Sequence, residues 1–184
     1  MKLSLLSILL GLGMAVPQVY GLAKPSAFAA AARKFPRSLP AGFLLMAIGT
    51  LWFLWLVKQE PIADFAAFKP YMLVAFAVIG VATCIFVQDF LAVRGLAIVL
   101  MLVAKLMVDT GRPHLGETPW VLLIQTLAYV FVVAGIWLTV SPWRLRDFLD
   151  WATANEKRIK LHSMMRLAFA LLVLVLGLTA FRAM

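Results

Sequence analysis

The stretch from Trp120 to Phe181 constrains the chain more than any other. It runs as an apolar span from Trp120 to Val140, a charged connector opening at Ser141 and Pro142, and a second apolar span from about Met164 to Phe181. About 20 helical residues rising roughly 1.5 Å each cover the ~30 Å of hydrocarbon in a bilayer, so each span is long enough to cross one. The connector WRLRDFLDWATANEKRIK carries too many charges to sit in lipid. Read as one helix, it gathers Leu145, Phe148, Ala152 and Ile159 near one face, with Arg144, Arg146, Asp147, Asp150, Lys157 and Arg158 largely elsewhere. That pattern predicts a helix lying on the membrane surface over 142–160.

The remainder repeats this hairpin. With 64% hydrophobic and 14% charged residues among 184, the chain has more apolar surface than a water-soluble core can absorb. Mean hydropathy is +0.99. The expected fold class is therefore all-α: a polytopic transmembrane bundle of about six helices in three consecutive hairpins, forming a single integral membrane domain.

The expected spans are 3–20, 41–57, 71–87, 93–108, 120–140 and 164–181, with interfacial helices over 26–35 and 142–160. Lys2 and the apolar run Leu3 to Val16 resemble a cleavable signal peptide as well as a first span, and the hairpin pattern favours the span. Pro17 is expected to loosen its last turn. Phe28, Ala31, Ala32 and Phe35 recur at helical spacing beside Arg33, Lys34 and Arg37, and Pro36 closes that segment. Pro61 would open a short interfacial helix carrying Ile62, Phe65 and Phe68.

Each second arm begins beside an arginine, namely Arg37, Arg94 or Arg166. An internal repeat would produce this, and so would the positive-inside rule acting on any helical hairpin.

Charge sets the expected orientation. The formal net charge is +9, from 17 Lys and Arg against 8 Asp and Glu. Ten of those cations (Lys24, Arg33, Lys34, Arg37, Arg94, Arg144, Arg146, Lys157, Arg158 and Lys160) lie in the connectors within hairpins. Five lie on the other side: Lys2, Lys58, Lys69, Arg112 and Arg182. The connectors are expected to face the cytoplasm of a bacterial inner membrane, with both termini outside. In this setting a basic chain implies anionic headgroups as partner, not nucleic acid.

Few residues suggest chemistry. Lys105 and Asp109, spaced i and i+4 in the fourth span, form a candidate intramembrane polar pair; a proton path, a subunit contact or simple snorkelling would each use it. Gln125 can hydrogen-bond across helices, and Asp89 can meet Arg94 across a tight turn. Ser7, Gly11 and Ala15 make a small-residue face, with Gly80 and Cys84 a shorter one. Cys84 is the single cysteine, which rules out an intrachain disulfide.

His114 and His162 lie in a loop and at a span's mouth, where paired axial haem ligation has no footing. Asp147 and Asp150 sit among arginines, as solvated ion pairs do. No phosphate-binding glycine loop, nucleophile elbow or HExxH motif occurs. No cofactor or metal is expected.

Candidate contacts to lipid headgroups or partners are Arg33, Lys34, Arg37, Trp143, Arg144, Arg146, Trp151, Lys157 and Arg158. The leading expectation is a non-enzymatic accessory subunit that packs against other membrane subunits or further copies of itself. Behind it stand a small oligomeric transporter or channel, and a lipid-modifying enzyme using Arg144, Arg146 and His162.

Overall fold

The computed structural model describes residues 2–60 and 66–182. Eight α-helices follow in order: α1 (Leu3–Ala23), α2 (Pro25–Lys34), α3 (Leu39–Gln59), α4 (Lys69–Phe86), α5 (Leu91–Gly111), α6 (Val121–Val140), α7 (Trp143–Ala152) and α8 (Glu156–Leu178). No strand occurs among the described residues. Six of the helices (α1, α3, α4, α5, α6 and α8) are long and apolar enough to cross a membrane, which fits a multi-pass membrane protein. The all-α bundle expected from the apolar runs is the fold observed.

Most boundaries lie within three residues of the hydropathy reading, because a run's apolar length is a local property. The difference at α1 is instructive. The helix runs through Pro17 and reaches Ala23, since a proline without its N–H removes one bond and need not end a helix. Similarly, α5 continues past Asp109 to Gly111 before a 3-10 turn at Arg112–His114. The proposed helix opening at Pro61, with Ile62 and Phe65, lies outside the described residues, and Phe68 stands in an exposed turn.

The connector 142–160 is not one helix. It breaks at Thr153–Asn155, and residues 156–160 become the first turns of α8. The cause is local: the Asn155 side chain accepts the backbone N–H of Arg158 at 2.8 Å, and Glu156 places negative charge in the first turn. Ile159 consequently belongs to α8, where it is buried. Phe148, expected on the apolar face of the connector, is exposed. In α2 the sheltered positions are Pro25, Phe28, Ala29 and Ala32, while Ala31 points outward.

Two compact units make up the chain. The first comprises Met1–Arg33, Val103–Val132 and Arg146–Met184; the second comprises Lys34–Leu102 and Val133–Leu145. Connectivity follows the hairpin order, but packing in the first unit joins the first span to the last, α1 lying along α8. The direction is antiparallel: a Cβ on Gly11 would meet Leu174, one on Gly21 would meet Ser163, and one on Gly177 would meet Ile8.

Small residues on both helices allow that approach. Ser7, Gly11, Ala15 and Gly21 are buried on α1, facing the α8 stripe on which Ser163, Ala170 and Gly177 recur at heptad spacing. The first set is apparent in the sequence, whereas the second acquires meaning only once its partner is known. Around this seam Leu3, Leu6, Met107, Val121, Ile124, Val173 and Phe181 form the unit's core. The Ser7 hydroxyl is buried and has no hydrogen-bond partner among the described residues.

In the second unit α3 packs on α4, with Gly80 against Thr50. Gly80 is the one buried residue of α4, while Cys84 is half-buried. A smaller core gathers Phe90, Val93, Ala97 and Leu138, with Leu100 and Leu145 against it.

Candidate functional site

The polar chemistry of the first unit concentrates where α2, α7 and the start of α8 come together. The Arg33 guanidinium donates through Nε to the Thr153 hydroxyl at 2.9 Å and through a terminal N–H to the Thr153 carbonyl at 2.7 Å. Its Nε also lies 3.6 Å from Asp150. Thr153 follows the last residue of α7, where carbonyls lack intrahelical partners and the helix dipole is negative. A planar cation with several fixed donors suits that position better than lysine would. Arg33 thereby caps α7 and ties one amphipathic connector to the other across 120 residues of sequence.

Beside this clamp, α7 and α8 form a ladder of cations and rings. Arg158, His162 and Arg166 recur every four residues along α8. The Trp151 ring has the Arg158 guanidinium 5.6 Å from its centre and the His162 ring 5.2 Å away. Phe148 stands 6.1 Å from Trp151 and has Arg166 at 5.6 Å. A guanidinium stacked on a ring keeps its edge N–H groups available to an anion. The ladder thus presents a basic, amphipathic surface.

The named candidates therefore divide. Arg33, Trp151 and Arg158 are gathered at the clamp and ladder. Arg146 pairs with Asp147 on its own helix, its terminal nitrogen 2.8 Å from the carboxylate. Trp143, Lys34, Arg144 and Lys157 are exposed. Arg37 belongs to the second unit, its guanidinium 5.5 Å from the centre of the Phe90 ring. Thr153 and Arg166 are not among the contact candidates that the sequence suggests, although Arg166 stands out there as the arginine beside the last arm. For Thr153 the only available signal was its place just before Asn155 and Glu156, a helix-start pattern that implies a helix end ahead of it.

Near the other end of this unit, the Lys105 ammonium lies 2.6 Å from Asp109, and both side chains are about half exposed. Gln125 is buried and donates to the Val108 carbonyl at 3.4 Å, joining α6 to α5. His114 meets Glu117 at 3.0 Å within the loop. Asp89 and Arg94, expected as neighbours across the tight turn, form no ion pair; Asp89 is exposed, while the Nε of Arg94 is buried. Among the described residues no group of three or more His, Cys, Asp or Glu is placed to hold a metal ion.

Comparison with family models, with curated proteins and with solved structures finds no match to this chain.

Proposed function

We propose that the chain is a non-enzymatic multi-pass protein of a bacterial inner membrane, a small accessory subunit that packs within a larger membrane complex. In this reading its two basic connectors rest on the cytoplasmic leaflet. The observation that carries it is how the polar side chains inside the spans are used. Gln125 binds a neighbouring helix. Thr83, Thr126, Thr139 and Thr179 return their hydroxyls to the carbonyl four residues back in their own helices. Gln125 thus joins two helices, and the threonine hydroxyls are satisfied within their own, which supports a packing use of these groups over a path lining. By contrast, α4 turns Tyr71, Val74, Val78, Ile79, Ile85 and Phe86 outward, an apolar surface suited to lipid or to a partner helix.

One observation favours the second reading, a small oligomeric transporter. The Lys105–Asp109 pair faces out of its own unit with half of each side chain uncovered, and a second copy of the chain could cover it. The lipid-enzyme reading loses support, because Arg146 is engaged by Asp147 and the His162 ring packs at a tilt against Trp151.

Native purification in mild detergent followed by mass spectrometry separates the readings. An accessory subunit co-purifies with other membrane proteins in fixed ratio. A homo-oligomer that moves a solute into liposomes would replace that conclusion with transport, and turnover of added lipid by the isolated chain would replace it with catalysis.

A further inference from the structure

The second unit contains an arrangement that the proposed function does not use. Helices α3 and α5 run parallel and almost touch. A Cβ on Gly42 would lie 2.9 Å from Leu91, one on Gly95 would lie 2.7 Å from Leu45, and one on Gly49 would lie 2.8 Å from Ile98. The register advances in the same direction on both helices, so their N-termini stand side by side.

Two arginines occupy that end. Arg37 immediately precedes the Ser38 cap of α3, and Arg94 lies in the first turn of α5. Phe90 lies next to both. Its backbone takes the left-handed conformation at φ 54°, uncommon for an aromatic residue, its ring is buried under the Arg37 guanidinium, and its carbonyl accepts the Arg94 N–H at 3.1 Å.

Neither arginine has a carboxylate partner among the described residues, and the Nε of Arg94 is buried without any acceptor. A buried donor on a permanently charged group is costly to leave unmatched. The helix ends themselves offer little: Gln88 and Phe90 carbonyls take N–H groups of the α5 first turn, and Pro40 has none to give. Any anion here would be held by the guanidinium groups.

We propose that Arg94 and Arg37 hold the phosphate of one anionic phospholipid at this end of the second unit. The chain's own surface argues for a lipid over a free anion. Phe86, four residues before Phe90, is 82% exposed, and Ile85, Val81 and Val78 continue an outward apolar strip along α4 from the same turn. Acyl chains lie along that strip while the headgroup meets the arginines. This goes beyond the accessory-subunit reading and does not depend on it, because it requires only that the helices stand in a bilayer.

The test uses the full chain in detergent and follows its thermal unfolding midpoint as phosphatidylglycerol, phosphatidylcholine or inorganic phosphate is added. Phosphatidylglycerol raises the midpoint, and the other two do not. R94Q shifts the half-saturating phosphatidylglycerol concentration upward by about tenfold or more, the weight of one charge-assisted hydrogen bond. R37Q, at an exposed position that tolerates change, weakens binding in the same direction and decides the matter if R94Q does not fold. R112Q, which removes equal charge at the far end of α5, leaves the response unchanged. An equal response to inorganic phosphate, an unaltered response in R37Q, a matching loss in R112Q, or no response in the parent protein would each overturn the proposal.

Discussion

Gly11 has no room for a side chain: a Cβ there would stand 2.7 Å from the Leu174 Cβ and 2.9 Å from its backbone nitrogen. Backbone cannot swing aside as a side-chain tip can, so Gly11→Ala must push α8 away along the whole seam. An overpacked site of this kind costs ~1–3 kcal/mol. Gly13 meets nothing within 4 Å, and Gly13→Ala is expected to be neutral or mildly stabilising, by up to about 1 kcal/mol, because the helix interior disfavours glycine. Unfolding midpoints in detergent compare the two directly, and similar midpoints would contradict the α1–α8 seam.

Arg33 makes a second prediction at this scale. Arg33→Met keeps the apolar stem but removes the donors to Thr153, so α2 and the end of α7 should exchange backbone amides faster, while α5 and α6 do not change. For Lys105→Met a much smaller effect is expected, below ~1 kcal/mol, because an exposed i,i+4 pair contributes little and Asp109 remains near the helix end. Loss of complex assembly in that variant would show that the pair serves a partner or a path.

At the scale of elements, the break between α7 and α8 depends on one side chain. Asn155→Ala removes the acceptor for Arg158 and should cost about 1 kcal/mol, seen as faster amide exchange over 156–160. If exchange there is unchanged, the break has another cause.

This junction also indicates what a sequence discloses. Length and apolarity of a run are written locally, which is why all six apolar helices are legible in the sequence. The helix start at Asn155–Glu156 was written locally too, but the amphipathic pattern of 142–160 spans the break smoothly and hides it. Other features depend on residues far apart. Arg33 and Thr153 carry no mutual pattern, and Ser163, Ala170 and Gly177 read as unremarkable small residues until α1 is laid against them. The stack of Arg166 on Phe148 belongs to the same class, as does the burial of the Arg94 Nε next to a strained Phe90.

At the scale of the whole chain, the described residues include six helices long and apolar enough to cross a membrane, joined by segments that carry most of the charge. Its chemistry is that of an interface: cations stacked on rings, a guanidinium closing a helix, and small residues allowing close helix contact. Within the first unit Arg33 joins α2 to the end of α7, which places these two connectors at the same end of that unit, as the proposed orientation requires. The proposed orientation, with both basic connectors on one leaflet, depends on that two-sided arrangement.

Single-cysteine labelling in intact cells and in inverted vesicles examines it most directly, in a Cys84→Ser background. Ala154, exposed in the connector between α7 and α8, and Gly116, open in the loop between α5 and α6, are the informative positions. The account predicts that a membrane-impermeant reagent labels Gly116→Cys only from outside and Ala154→Cys only in inverted vesicles. Labelling of both from the same side would contradict it.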